Sequence, residues 1–399
     1  MSVSLPGREP LFSRLIDICG PDFARVAGPT DTVAGRRASF VAAPATTHAV
    51  SEAMRLAADR GLAVVPRGAG TKIDWGMPPP GADLLLDTTR LSGVWHDRPS
   101  EMTAEVGTGT PVRAVQAALA LRGQRLAVDP PSAEATIGGM LAVNESGPLR
   151  HRFGTPAAQV NHVTYVDLEG TVAESDGEQG RPGIAEVHGV LVSANLRLVS
   201  LPGARRWVVA AVSTPLQVYH LVEEALEQDV QPSAIEVDLP VLSGARGVEQ
   251  LPGSLAVLIE GTVAAVEERA ARLAKSLGSG ITTADVAPQW WGRYPFGPDD
   301  VALRISVPID DLHAAVYALS DAAGSPVAVR GSAGIGSVSA DCRVVGESTA
   351  YIGLSSPGEP HSPQRRPGQA GRRSPPGPRS ARRTSRRSAP RRGSPRTTA

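Results

Sequence analysis

Val64-Val65-Pro66-Arg67-Gly68-Ala69-Gly70-Thr71-Lys72 is the stretch that decides the fold predicted for this chain of 399 residues. Leu62–Val65 is an apolar run typical of a buried strand, and it ends at a proline followed by two glycines one residue apart. Gly68 and Gly70 lack a Cβ, so they can take positive φ and direct successive backbone N–H groups at an anion. The stretch therefore indicates a strand that runs into a phosphate-binding loop, although an ordinary strand-to-turn junction has the same sequence pattern.

This loop differs from two common nucleotide-binding motifs. Its Gly-Thr-Lys order does not fit the Gly-Lys-Thr/Ser ending of a Walker A loop. Nor does a G-x-G-x-x-G sequence open a helix here, as a Rossmann fold requires. Arg67 adds a permanent positive charge with a forked set of donors.

A second glycine-rich stretch runs from Ala135 to Gly147. Its candidate ligand-binding residues are Thr136, Ile137, Gly138 and Gly139, followed by the short polar side chains of Asn144 and Ser146. Two glycine-rich, hydroxyl-bearing loops in one domain suit a diphosphate better than a single phosphate.

Four motifs together resemble the PCMH-type FAD-binding domain of the vanillyl-alcohol-oxidase type flavoproteins. They are Pro66–Thr71, Glu105–Gly109, Ala135–Gly139 and Arg152–Gly154. The resemblance extends over roughly residues 40–202. Within that superfamily, Asn144–Arg150 most resembles the FAD-binding subunit of bacterial glycolate oxidase.

The resemblance implies an α+β fold with FAD as cofactor. It predicts a helical lead-in over 1–34, a PCMH-type FAD-binding domain of two α/β subdomains over 35–203, and a cap over 204–350. The order of elements predicted from Trp207 onward is β-α-β-β-α-β, which is typical of a ferredoxin-like sheet, with its last strand near 301–307. Residues 355–399 are predicted to form a disordered Arg/Pro/Ser-rich tail.

The resemblance also implies a function and a set of cofactor contacts. The function is oxidation of a small 2-hydroxy acid such as glycolate, with electrons passed to a paralogous flavoprotein subunit and an iron–sulfur subunit. The sequence does not identify a catalytic base. The predicted cofactor-binding residues are Pro66, Arg67, Gly68, Ala69, Gly70, Thr71, Gly107, Thr108, Thr136, Ile137, Gly138, Gly139, Asn144, Ser146, Gly189 and Val190.

Two regions depart from the family pattern. Residues 174–188 replace a longer segment that contributes to the cofactor site in the family, and only Gly189 and Val190 match its final turn. The tail carries 12 arginines and no acidic residue from His361 onward. Either an RNA- or membrane-surface-binding arm or an out-of-frame reading of the coding sequence would account for that composition.

Some residues outside the glycine-rich stretches also carry alternative interpretations. His151, between two arginines, is predicted to be a solvated surface residue, with a catalytic base or flavin attachment site as the alternative. Arg150 and Arg152 either meet the diphosphate or lie in solvent. Arg293, in the aromatic stretch Trp290–Phe296, is predicted to pair with a substrate carboxylate, unless that stretch is cap core or a subunit contact.

Composition limits the remaining possibilities. Residues 1–360 carry 28 basic against 40 acidic groups, which argues against nucleic-acid binding by the body of the protein. The two cysteines have no metal-ligand spacing, so no metal site is predicted. No apolar run approaches the ~20 residues of a membrane span, and we expect a cytoplasmic protein, peripheral to a membrane only through partners. The remaining alternatives are a flavin-poor structural subunit of a glycolate-oxidase-like complex and RNA binding through the tail.

Overall fold

The computed structural model describes residues 8–98, 101–176, 184, 187–244, 247–297, 300–342 and 352–355. Most of the shortened 174–188 segment and all but the first residue of the predicted tail lie outside the described residues. The predictions for those two regions therefore remain predictions.

The N-terminal part alternates helices and short strands. Its elements are α1 (Arg8–Cys19), β1 (Ala24–Val26), β2 (Thr32–Val33), β3 (Arg36–Arg37), β4 (Phe40–Ala42), α2 (Thr47–Arg60), β5 (Val64–Arg67), β6 (Leu84–Asp87), β7 (Val94–Arg98), β8 (Thr103–Gly107), α3 (Val112–Ala120), β9 (Gln124–Leu126), α4 (Ile137–Ala142), α5 (Arg150–Phe153), β10 (Val160–Asp167), β11 (Val172–Asp176) and β12 (Gly189–Ser200).

The predicted β-α-β opening is confirmed. Thr46 caps α2, its hydroxyl accepting a hydrogen bond from the Ala49 N–H at 3.1 Å, and Gly61 ends the helix in the left-handed region. The strands form a four-stranded sheet in the order β1-β4-β6-β5, in which β4 and β5 both run parallel to β6. Parallel neighbours bury this sheet on both faces, so Leu84, Leu85 and Leu86 are all buried. The first glycine-rich loop leaves the end of β5.

A second sheet in this part has the order β11-β10-β12-β8-β7, and β9 pairs with β12. The predicted hairpin forms between β10 and β11, and the Asp167 carboxylate accepts hydrogen bonds from two backbone N–H groups in its turn. Helices α3 and α4 pack on this sheet through Val115, Leu119 and Met140.

The C-terminal part is built on one large sheet. Its elements are β13 (Ala204–Val212), α6 (Pro215–Glu227), β14 (Ala234–Leu239), β15 (Val241–Gly244), β16 (Gly247–Gln250), β17 (Gly253–Gly261), α7 (Val263–Leu277), β18 (Thr282–Ala284), β19 (Val301–Ser306), α8 (Leu312–Ala323), β20 (Ala328–Ser332), β21 (Ser337–Cys342) and β22 (Ile352–Ser355).

The ferredoxin-like order is present, but the predicted position of its fourth strand is wrong. The eight-stranded sheet runs β18-β13-β17-β14-β20-β21-β19-β22, so its β-α-β-β-α-β unit ends with β18 at the edge beside β13. Strand β19, which was predicted for that place, lies on the far side and pairs with β21. Strand β18 has three residues, two of them threonines, and is too short to show a strand pattern in the sequence. Strand β19 is longer, and apolar and polar residues alternate along it.

Candidate functional site

The first glycine-rich loop has the geometry of an anion cradle. Gly70 takes a φ of +74°, as predicted for a turn that needs glycine. A Cβ on Gly68 would lie 2.2 Å from the Thr136 hydroxyl oxygen, so the two glycine-rich stretches touch at this point. Among the described residues, none accepts a hydrogen bond from the backbone N–H groups of Gly68, Ala69, Gly70 or Thr71. These four donors are therefore available to phosphate oxygens, which fits a diphosphate.

The side chain of Arg67 is engaged within the protein. Its guanidinium pairs with Asp31 at 3.2 Å and with Asp87 at 2.9 Å. Hydrogen bonds from Arg25, from the Gly28 N–H and from Arg67 hold the pKa of the buried Asp31 carboxyl well below its usual range. Arg67 thus fastens the end of β5, and it is the backbone after Arg67 that faces outward.

The second stretch is a helix start where a loop was predicted. Thr136 is the N-cap of α4, and its hydroxyl accepts a hydrogen bond from the Gly139 N–H at 3.2 Å. The Ile137 and Gly138 N–H groups donate to the carbonyls of Thr110 and Thr108. Their donors are therefore satisfied internally, and these residues support the first loop. The sequence did not predict this helix, because Thr136, Ile137 and the two glycines that follow them have low helix propensity.

Gly107, Gly189 and Val190 lie in strands of the second sheet, and Thr108 directly follows β8. The Thr108 hydroxyl donates to the carbonyl of Leu191 at 2.8 Å, and Gly138 fits closely against Thr108. Gly189 begins β12, and Val190 is buried in a core shared with α1 and α2. A direct cofactor role for these four residues stays a prediction. The structure gives them contacts within the sheet and with α4.

The remaining predicted residues surround a turn after α4. Asn144 has a φ of +49°, and its side-chain oxygen accepts a hydrogen bond from the Ala157 N–H at 3.0 Å. The Ser146 hydroxyl donates to the Asn144 carbonyl at 3.2 Å. Gly147 is held so tightly that a Cβ would lie 1.8 Å from the Asp129 carbonyl oxygen.

A cavity of about 270 Å³ lies where this turn meets the C-terminal sheet. Its first wall, on the N-terminal part, includes Lys72, Trp75, Glu145 and Ser146. The opposite wall comes from the large sheet and from the aromatic stretch, and the lining residues there include Glu236, Arg293, Tyr294, Arg304, Arg330, Ser332, Ser337 and Ser339.

A buried ionic network forms the first wall. Lys72 pairs with Glu145, both side chains being more than nine-tenths buried, and the Lys72 ammonium donates to the Ser132 hydroxyl at 2.6 Å. The Tyr294 hydroxyl donates to Glu145 at 2.8 Å, and Tyr294 packs edge-on against Trp75. Burial lowers the pKa of Lys72, while the Glu145 carboxylate opposes that shift. The network ties the first glycine-rich loop to the cavity.

Two polar cross-strand rows form the second wall. In one row, Asp238, Arg330, Ser339 and Arg304 are neighbours in register across β14, β20, β21 and β19. The second row holds Glu236, Ser332, Ser337 and Ser306. Arg330 is paired with Asp238 at 2.8 Å. Within the described residues, the Arg304 guanidinium donates one hydrogen bond, to the Ser337 hydroxyl at 3.5 Å, and no carboxylate there pairs with it.

Glu236 is a buried acid within the second row. Burial raises its pKa to about 8, the nearby Asp129 carboxyl adds to the shift, and the hydrogen bond from Ser332 opposes it. The folded protein therefore keeps a proton on Glu236 at neutral pH, where an unfolded chain has lost it.

Replacing Glu236 by Gln is expected to stabilise the protein in a pH-dependent manner. Because the pKa is raised on folding, the wild-type stability falls as pH rises from about 4.5 to about 8, and Gln removes that loss. We expect the difference in unfolding free energy between variant and wild type to grow from near zero at pH 4.5 to about 4 kcal/mol at pH 8. Urea unfolding at both pH values measures it, and a constant difference would contradict a protonated Glu236.

Three other sequence predictions meet different outcomes. Arg293 borders the cavity, as its predicted role requires, although its side chain is exposed. Trp291 packs edge-on against Trp207 at 6.0 Å in a small core, so the aromatic stretch serves both cavity and core. The prediction of a solvated His151 is wrong, because its ring lies against Gly334 and burial lowers its pKa.

Comparison with known proteins agrees with this geometry. The family model described as "FAD binding domain" matches residues 38–176. Residues 38–176 form an FAD-binding domain. The described residues have an α+β fold that resembles the fold of the vanillyl-alcohol-oxidase and p-cresol-methylhydroxylase flavoenzymes. The glycine-rich cradle, Lys72 and Glu145 all lie within residues 38–176.

The relatives extend beyond the FAD-binding domain at low identity. A D-lactate dehydrogenase of Archaeoglobus fulgidus is 24% identical over 290 residues, covering 67% of this chain and 64% of the relative. The glycolate oxidase subunit GlcD of Bacillus subtilis is 22% identical over 215 residues, covering 51% of this chain and 46% of the relative. The matches thus span between about half and two thirds of these relatives.

A solved alkyldihydroxyacetonephosphate synthase has a TM-score of 0.66 and 16% identity, covering 86% of this chain and 80% of that one. At that identity the likeness concerns the fold alone. In the part of the chain that the structure describes, no cluster of three metal-ligating side chains occurs. None of the helices in that part combines the length and the apolar composition that a membrane span requires.

Sequence reasoning missed most of the cavity wall. Glu145 lies within the second glycine-rich stretch. Its position two residues before Gly147 is the one feature of the sequence that could have indicated a role at the site. Lys72 ends the first stretch, but its sequence context does not predict the ion pair with Glu145, which is distant in the chain. Arg304, Arg330 and Glu236 come from separate strands whose neighbours are set by the sheet order alone.

Proposed function

We propose that the chain is an FAD-dependent oxidoreductase subunit that oxidises a small 2-hydroxy acid. The observation that carries the proposal is Arg304, a cavity-lining guanidinium with no carboxylate partner among the described residues. A substrate carboxylate is the natural partner of such a group. The named activities of the relatives in Archaeoglobus fulgidus and Bacillus subtilis support the same substrate class.

The glycine-rich cradle and the cavity have separate tasks in this proposal. The backbone of Gly68–Thr71 holds the cofactor diphosphate, while α4 and Thr108 support that loop from behind. Arg304, with the Ser337 hydroxyl beside it, binds the substrate carboxylate, and Arg293 covers the open side. FAD, when bound, supplies a hydride acceptor for the substrate Cα hydrogen.

The proton acceptor in this proposal belongs to the buried ionic network around Lys72. The substrate hydroxyl must lose its proton as the Cα hydrogen leaves, and Glu145 is the buried carboxylate on that wall. The Tyr294 hydroxyl donates to Glu145 and also borders the cavity, so it connects the carboxylate to the substrate. The Lys72 ammonium pairs with this carboxylate and holds it in place beside Tyr294.

We further propose that the electrons leave to partner subunits, as the resemblance to glycolate oxidase subunits implies.

A steady-state assay with a dye acceptor tests the substrate class in isolation from those partners. Glycolate, D-lactate, L-lactate and D-2-hydroxyglutarate form the panel, with ethylene glycol as an uncharged control. We expect dye reduction with at least one acid and none with the diol. Equal rates with the diol would contradict recognition of the carboxylate.

A further inference from the structure

We propose that the cavity described above binds a ligand with two carboxylates, one on Arg304 and the other on Arg293. For the reaction, this makes the substrate a 2-hydroxy dicarboxylic acid, and that step rests on the proposed function. The ligand class itself rests on two guanidinium groups that line one cavity of about 270 Å³ and have no carboxylate partner in the described part of the chain.

Two other cations of the lining are already neutralised. The Lys72 ammonium pairs with the Glu145 carboxylate, and the Arg330 guanidinium pairs with Asp238 at 2.8 Å. These four groups balance two by two. The two pairs therefore leave no net charge for a ligand to compensate.

Arg304 and Arg293 differ from those cations in having no carboxylate beside them among the described residues. Both side chains are accessible, since Arg304 is half-buried and Arg293 is exposed. The remaining acid of the lining, Glu236, lies three strands away from Arg304, about 14 Å at the backbone, and is hydrogen-bonded to Ser332. Glu236 is therefore too distant to pair with Arg304.

The sheet and the aromatic stretch bring the two free guanidinium groups to one cavity from different segments. Arg304 and Arg330 stand in one cross-strand row with Ser339 between them, which separates their Cα atoms by about 10 Å. The Arg330 guanidinium donates to the Tyr294 carbonyl at 2.9 Å, so the segment that carries Arg293 lies at the Arg330 end of this row. A ligand that reaches both guanidinium groups needs an anionic group at each end.

The chemistry of arginine favours carboxylates as these anionic groups. One guanidinium and one carboxylate form a complete bidentate pair, with two parallel hydrogen bonds. Two such arginines therefore take two carboxylates, and a dianion compensates both positive charges. A monocarboxylate would leave one of the two guanidinium groups without a partner.

Isothermal titration calorimetry with glutarate and pentanoate tests the ligand class without an oxidation step. Pentanoate has a methyl group where glutarate has its second carboxylate, and neither acid carries a hydroxyl. We expect glutarate to bind the full chain, with FAD present, at least about tenfold more tightly than pentanoate. Equal affinities for the two acids, or no binding of glutarate at millimolar concentration, would overturn the proposal.

Variants assign the two carboxylates to their arginines. Arg293→Met should lower the ratio of glutarate to pentanoate affinity to near one, and Arg304→Met should weaken glutarate about tenfold. Arg272→Met is the matched control, because Arg272 is also exposed but pairs with Glu268 on α7 and does not line the cavity. It should keep the wild-type ratio. A glutarate preference that survives in Arg293→Met would also overturn the proposal.

Dye reduction separates this inference from the proposed function. We expect kcat/KM for 2-hydroxyglutarate or malate to exceed that for 2-hydroxypentanoate or 2-hydroxybutyrate by about tenfold or more. Oxidation of the monocarboxylates as fast as of the dicarboxylates would overturn the inference and leave the proposed function standing. A glutarate preference without oxidation of any 2-hydroxy acid would overturn the proposed function and leave the dicarboxylate site standing.

Discussion

Gly68→Ala is expected to weaken FAD binding about 100-fold while leaving the fold intact. The new Cβ would lie 2.2 Å from the Thr136 hydroxyl oxygen, and that hydroxyl is fixed as the cap of α4. The loop must therefore move away from α4, and the N–H donors of Gly68–Thr71 lose their common direction. Overpacking of this size costs about 1–3 kcal/mol, which at its upper end corresponds to about 100-fold in affinity. Fluorescence titration of the apoprotein with FAD measures the change.

A rescue variant and a control make this result specific. Thr136→Ala in the Gly68→Ala background removes the clashing oxygen and should restore part of the FAD affinity, as a double-mutant cycle would show. Gly203→Ala is the matched control, because its Cβ would meet nothing closer than 3.5 Å. Affinity equal to wild type in Gly68→Ala would place the diphosphate elsewhere.

Arg304→Met is expected to lower kcat/KM for the preferred 2-hydroxy acid by roughly 30-fold or more, with FAD content unchanged. Removing a guanidinium that pairs with a desolvated carboxylate costs about 2–5 kcal/mol. The loss should appear for every acid in the panel, because the carboxylate is their shared group. Steady-state dye reduction and flavin absorbance on the same preparation measure both quantities.

Arg206→Met is the matched control for this variant. Arg206 also lies on a strand, β13, but it pairs with Glu267 on α7 and does not line the cavity. Its kcat/KM should equal that of the wild type. Unchanged kcat/KM in Arg304→Met would show that another group binds the carboxylate.

The sequence predicted the parts of the fold that local patterns determine. Apolar periodicity predicted strand β5 and helix α2, and cap chemistry predicted Thr46 as the N-cap of α2. All three are present, and the loop with Gly68 and Gly70 follows β5. The helical start of the second stretch was missed, because Gly138 and Gly139 disfavour a helix locally. In the folded chain, the Thr136 cap and the carbonyls of Thr108 and Thr110 compensate for that low propensity.

The cavity could not be predicted because it depends on the pairing of strands distant in sequence. Arg304 and Arg330 become neighbours only through Ser339 of β21, which joins β19 to β20. The contact of Lys72 with Glu145, and of both with Tyr294, joins three separate segments. The sequence analysis placed the fourth strand of the ferredoxin-like unit at 301–307, beside β13. Strand β19 instead pairs with β21, and this pairing brings Arg304 to the cavity wall.

Anaerobic reduction of the bound flavin tests the central claim most directly. The purified full chain, saturated with FAD, is mixed with glycolate or D-lactate without any acceptor, and the flavin absorbance is followed. The proposed function predicts that at least one 2-hydroxy acid bleaches the flavin, and that Arg304→Met slows the bleaching. A flavin that stays oxidised with every 2-hydroxy acid tested would contradict it.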